Sequence, residues 1–166
     1  MSNFNNLLKP RIVNIENVSL NNTKVTLEPL ERGFGHTLGS ALRRIMLSSI
    51  VGSSITEVSI EGVQHEYSTI EGVQEDVIDI MLNLKDVSFK MNGNTSATLT
   101  LAKNEVGLVT ASDIELKNDI EIVNPNHVIA NITTKGASLN MQIEVSEGIG
   151  YSSAGQRIHD DNRIVG

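Results

Sequence analysis

The sequence predicts an α+β fold in two parts: a strand hairpin joined to a helix, and a β-rich part carrying one amphipathic helix. Three observations lead there. Runs rich in β-branched residues, bounded by turn-forming residues, recur along the 166-residue chain. Apolar residues switch to helical spacing in two segments. The strand runs do not alternate with helices as the βαβ units of a parallel sheet would.

The first part reads as a hairpin and a helix. Arg11 to Val18 and Lys24 to Glu28 alternate partially and flank the turn-prone Leu20-Asn21-Asn22, and Pro29 ends the second strand. From Thr37 to Ser49 the period becomes helical, with Leu38, Ala41, Leu42 and Ile45 on one stripe and Thr37 as the expected N-cap. Leu47 falls opposite that stripe, between Arg43 and Arg44. Such a helix is contacted on two sides; the plainer alternative places Leu47 in a fraying last turn.

A composition shift at Val51-Gly52-Ser53-Ser54 suggests a boundary, dividing the chain into 1–51 and 52–166. Thr56 to Ile60 reads as a strand. Val73, Val77, Ile80, Met81 and Leu84 then mark a second helix, with Glu75 and Asp76 in its first turn, where the helix dipole favours acids. Val87, Phe89 and Met91 alternate, Asn92-Gly93 supplies a hairpin turn, and Ala97, Leu99 and Leu101 alternate on the expected return. Asp119 to Val123 and His127 to Ile132 read as two short strands. Leu139, Met141, Ile143 and Val145 make the cleanest late strand, and Gly148 to Gly166 reads as a polar surface loop.

Composition excludes several functions. With no cysteine, the chain has no disulfide framework, thiolate-ligated zinc, iron–sulfur cluster or cysteine nucleophile, and the cytosol is the natural compartment. Aromatic residues are 3% of the chain, too few for stacking platforms on single-stranded nucleic acid. No apolar run approaches the roughly 20 residues a membrane span needs, and the start from Met1 to Lys9 lacks the regions of a signal peptide. The net charge of −7 is uneven. Residues 1–50 carry six Lys/Arg against three acids, so the remainder holds seven against seventeen. A largely acidic chain has few counterion-releasing contacts to offer DNA phosphates, which directs attention to protein partners.

Candidate chemistry is sparse. His36, His65, His127 and His159 have no second histidine three to five residues away, so a metal site would need distant segments; ordinary hydrogen-bonded histidines are the better reading. No Gly-x-Ser-x-Gly elbow anchors a hydrolase triad. Glu75 and Asp76 are adjacent, so on a helix they point about 100° apart, which suits capping better than acid–base catalysis. The run Gly33-Phe34-Gly35-His36-Thr37-Leu38-Gly39 follows a strand and opens a helix as a phosphate cradle would, but three residues separate Gly35 from Gly39, where the dinucleotide fingerprint has two. Gly33 and Gly35 are better read as a tight strand-to-helix turn and Gly39 as a point of close packing. The residues by themselves describe a soluble α+β interaction domain.

Four segments carry a resemblance. Residues 27–49, LEPLERGFGHTLGSALRRIMLSS, and residues 65–85, HEYSTIEGVQEDVIDIMLNLK, closely resemble two signature blocks of the N-terminal domain of the bacterial RNA polymerase alpha subunit. Lys9 to Ile15 are similar to that family's opening. Gly148-Ile149-Gly150-Tyr151 resembles a further element, with Glu147 in place of an arginine. Their order and spacing fit as well, and Ser40 stands where the family usually has Asn.

The resemblance implies a non-catalytic assembly scaffold. Residues 1–51 would be the first part of a dimerisation subdomain, with Phe34, Leu38, Ala41, Leu42 and Ile45 in a homodimer or alpha–alpha pair. Residues 52–166 would be an insertion subdomain docking the large subunits. Arg44, Leu47, His65, Glu75 and Lys85 would contact the beta and beta-prime subunits. No cofactor is expected in this chain, because the polymerase's magnesium belongs to the catalytic subunit. The family continues past the equivalent of Gly166 with the rest of the dimerisation subdomain, a linker and a DNA-binding domain, so direct DNA binding is not expected of these residues.

Overall fold

The computed structural model describes residues 9–19, 22–117 and 119–153. The chain forms two compact units, Met1–Ser48 and Ser49–Gly166.

In the first unit, β1 (Arg11–Ser19) pairs antiparallel with β2 (Asn22–Glu28), Ile12 facing Leu27 and Ile15 facing Val25. Two residues of the expected turn, Leu20 and Asn21, lie outside the described residues. Pro29, which has no N–H to offer a ladder, follows β2 directly. The helix α1 (Phe34–Ser49) begins three residues before the expected start. Gly33, at φ 82°, turns the chain into it, and the Phe34 N–H donates to the Glu31 carbonyl at 3.1 Å. Thr37 therefore lies inside the first turn, its own N–H directed to the Gly33 carbonyl at 3.4 Å, and is not the N-cap. Apolar spacing that starts at Leu38 does not register a helix entered through a glycine. Gly39 has nothing within 4 Å of where a side chain would begin, so the expected close packing there is not made among the described residues.

The second unit comprises β3 (Val51–Ile60), α2 (Val77–Lys85), β4 (Phe89–Met91), β5 (Ser96–Lys103), β6 (Gly107–Thr110), a 3-10 turn (Ala111–Asp113), β7 (Ile114–Glu115), β8 (Ile120–Ile122), β9 (Val128–Ile132) and β10 (Leu139–Ile149). Six strands form one antiparallel sheet in the order β7-β5-β10-β3-β4-β8, and β6 pairs with β9 in a second, two-stranded sheet. The central strand β10 alternates as expected. Leu139, Met141, Ile143 and Val145 are buried, while Gln142 on the opposite face is exposed.

The helix α2 covers the inner face with Val77, Ile80 and Leu84, all at most 1% exposed. These pack in one cluster with Leu99 and Leu101 of β5 and with Ile129 and Ile132 of β9. Asp76 caps the helix from an extended backbone, its Oδ1 accepting the Asp79 N–H at 2.8 Å. Val73 and Glu75 therefore precede the helix rather than occupying its first turn, because the extended backbone at the Asp76 cap lets helical geometry begin only at Val77.

Val51 to Ser54, where the composition shift suggested a boundary, are the first residues of β3, paired with Ser146 to Ile149 of β10. Two further expectations are corrected. Asn92-Gly93 does not close a hairpin: β4 and β5 are separated in the sheet by β3 and β10. A turn signal reports only a local reversal, whereas strand neighbours are chosen by long-range pairing. Gly148 and Ile149, read as loop, complete β10; residues 154–166 of that loop lie outside the described residues.

Candidate functional site

Every buried residue among those described lies at Val58 or later. The first unit has apolar residues in quantity but no core among those described: Ile12, Val13, Ile15 and Val18 of β1 and Phe34, Leu42, Ile45, Met46 and Leu47 of α1 are all exposed. Phe34, Leu38, Ala41, Leu42 and Ile45 fall at helical spacing on one stripe of α1, where only Leu38 is half-buried. Arg43 and Arg44 flank Leu47, which is 64% exposed in the last turn. Within the described residues this apolar stripe is left open, with a second exposed apolar point on the far side.

In the second unit the other expected contact residues do different things. His65 and Tyr67 are exposed in the loop between β3 and α2, and His65 Nδ1 lies 3.1 Å from the Ser68 hydroxyl. Lys85 is exposed in the last turn of α2, where its charge complements the helix dipole. Glu75 is half-buried, and its Oε2 accepts the Asn131 N–H at 2.7 Å. That bond ties the loop to β9, supported by Gln74 N–H to the Asn131 carbonyl at 2.9 Å. His127 is likewise structural, with Nε2 at 2.9 Å from the Asn83 carbonyl of α2.

Two features escaped the sequence reading. Gly72 crosses closely over the chain after β9; its carbonyl accepts the Thr133 N–H at 2.8 Å, and at φ 81° it occupies the left-handed region. Lys103 and Asp113 form an ion pair at 2.8 Å, both largely shielded from water. Asp113 Oδ2 also accepts the Thr110 N–H at 2.7 Å, closing the turn after β6. The spacing Thr110-x-x-Asp113 is a capping-box signal that could have revealed the second of these bonds.

Desolvation pushes the Asp113 carboxyl up, but the Lys103 ammonium, the Thr110 N–H and the Thr110 hydroxyl together hold it below its ordinary value. A carboxyl lowered by folding contributes stability above its unfolded pKa, about 3.9. That stability is lost as pH falls through the folded value. Asp113→Asn is therefore expected to be less stable than wild type at neutral pH, with the gap closing as the medium is acidified below about pH 4. Urea midpoints at neutral and acid pH check this; a gap that stays constant would contradict it.

Among the described residues no group of three or more His, Asp or Glu side chains is placed to hold a metal ion. No helix among them is long and apolar enough to cross a membrane. The outer face of the six-stranded sheet carries a shallow groove lined by Glu57, Ser59, Thr98, Gln142 and Glu144. It is open and lined by polar and charged residue types, without the large hydrophobic and aromatic side chains of a small-molecule site.

A family model described as the RNA polymerase Rpb3/RpoA insert domain matches residues 58–166, the greater part of the chain. The match begins within β3 and takes in every buried residue among those described.

Proposed function

This chain belongs to the RNA polymerase Rpb3/RpoA insert-domain family, and from that premise we propose that it is the alpha subunit of a bacterial DNA-directed RNA polymerase, a cytoplasmic, non-catalytic scaffold. It pairs with a second alpha chain and recruits the beta and beta-prime subunits. The observation that carries this reading is the first unit's wealth of exposed apolar residues, with none buried among those described. A hairpin and a single helix cannot bury their own apolar faces, so partners complete them.

In this reading Phe34, Leu38, Ala41, Leu42 and Ile45 of α1 pack against the second alpha chain. Arg44 and Leu47 leave on the other side toward the beta subunit, which explains a leucine held between two arginines. His65 and Lys85 meet the large subunits directly, and Glu75 contributes by fixing the shape of the loop that presents His65. Catalysis and its magnesium belong to another subunit, and DNA is contacted elsewhere in the enzyme.

The test is a pull-down of the tagged chain from a lysate of its own cells, with Arg44→Ala beside it and the retained large proteins identified by mass spectrometry. Both large polymerase subunits are expected with wild type. Arg44→Ala is expected to retain about tenfold less beta subunit, the effect of roughly 1.4 kcal/mol at a charged contact. Recovery of neither large subunit by a folded wild-type chain, or equal recovery by the variant, would overturn the reading.

A further inference from the structure

Asn92-Gly93 is the one asparagine–glycine pair in the sequence, and the sheet order leaves it without the hairpin role its composition suggested. Both residues are exposed, between β4 and β5. The Asn92 N–H is anchored to the Asp119 carbonyl at 2.9 Å. Its side-chain amide, and the N–H of Gly93, make no hydrogen bond among the described residues. By contrast, the amides of Asn83, Asn94, Asn124, Asn131 and Asn140 all donate to an oxygen within 3.2 Å. Nothing lies within 4 Å of where a side chain at Gly93 would begin. Among the described residues, then, a carboxamide without a hydrogen bond stands next to the peptide nitrogen of an exposed glycine that likewise has none.

We infer that Asn92 is a site of spontaneous modification, deamidating through a cyclic imide to a mixture of aspartate and isoaspartate. The Gly93 nitrogen, deprotonated by solvent base, attacks Asn92 Cγ. The new N–Cγ bond forms as the Cγ–Nδ2 bond breaks, and ammonia leaves carrying the proton that the peptide nitrogen lost. Water then adds to either imide carbonyl and opens the ring, so the net change is water gained and ammonia lost, with no oxidant or reductant. Glycine is the partner this chemistry favours, because it has no side chain to obstruct ring closure.

The product places a new negative charge beside Asp119 on an already acidic unit. In the isoaspartate form it also adds one carbon to the main chain immediately after β4, where Met91 pairs with Ile120 of β8. The β4–β8 edge of the sheet thus acidifies as the protein ages.

The experiment incubates the whole chain at mildly alkaline pH, native and in urea, and follows each asparagine by peptide mapping. Isoaspartyl carboxylates are counted by enzymatic methylation with labelled S-adenosylmethionine. Native Asn92 is expected to convert within about tenfold of its unfolded rate, while native Asn124 and Asn126 remain amides, and Asn92→Gln is expected to abolish the methyl label. A native rate at Asn92 more than about tenfold below the unfolded one would show that the fold forbids ring closure. That result, or conversion of Asn92 no faster than Asn126, overturns the inference.

Discussion

A Gly72→Ala chain is expected to lose about 2 to 4 kcal/mol of stability in its second unit. Two costs add. At φ 81° an L side chain meets the backbone strain of the left-handed region, about 1–2 kcal/mol. The added Cβ would also lie 2.5 Å from Ala137 Cβ and 3.0 Å from Thr134 Cβ. Both atoms sit next to the main chain, so neither can swing aside as the tip of a long side chain would, and the segment 134–137 must move. That movement strains the bonds from Thr133 and Thr134 to the Gly72 carbonyl and the seam of loop to β9 that Glu75 and Gln74 complete. Gly62→Ala is the control, because Gly62 has nearly the same φ, 79°, with nothing within 4 Å. Urea unfolding followed by circular dichroism separates the costs; equal losses at the two glycines would show that the crossing over Ala137 is looser than described.

If two chains pair through α1 as proposed, the double change Leu42→Asp and Ile45→Asp is expected to weaken that pairing severely while leaving the second unit folded. Leu42 is 44% and Ile45 55% exposed within the chain, so neither substitution removes an internal core contact. In a homodimer both would be covered, and an unpaired carboxylate taken from water into an apolar contact has no compensating bond. Central contacts of this kind are worth at least about 2 kcal/mol each, and every 1.4 kcal/mol is tenfold, so the dimer weakens on the order of a thousandfold. Sedimentation at a range of concentrations reads the association, and the urea midpoint of the second unit should not move. A double variant that still dimerises like wild type would place the contact elsewhere than on this stripe.

What the sequence could declare was whatever depends on near neighbours along the chain. Leu139, Met141, Ile143 and Val145 stand at period two, so their burial on one face of β10 was readable without coordinates. Val77, Ile80 and Leu84 recur at helical spacing, and α2 was equally plain, although its start was placed too early because Val73 shares the same stripe while lying outside the helix. The exposed stripe of α1 was visible as a stripe; that its residues find no cover among the described residues of their own unit was not, since spacing reports which residues share a face and not what meets it.

Tertiary structure alone decided the rest. Asn92-Gly93 carries every local mark of a hairpin, yet β3 and β10 stand between the strands it joins, because the strand order is set by pairings between residues far apart in sequence. The approach of Gly72 to Ala137 and the second use of Asp113 as partner of Lys103 have the same origin. Period and capping chemistry act over a few residues and are written in residue order. Which surfaces meet is determined by excluded volume and burial summed over the whole fold, and those terms exist only once the chain has closed on itself.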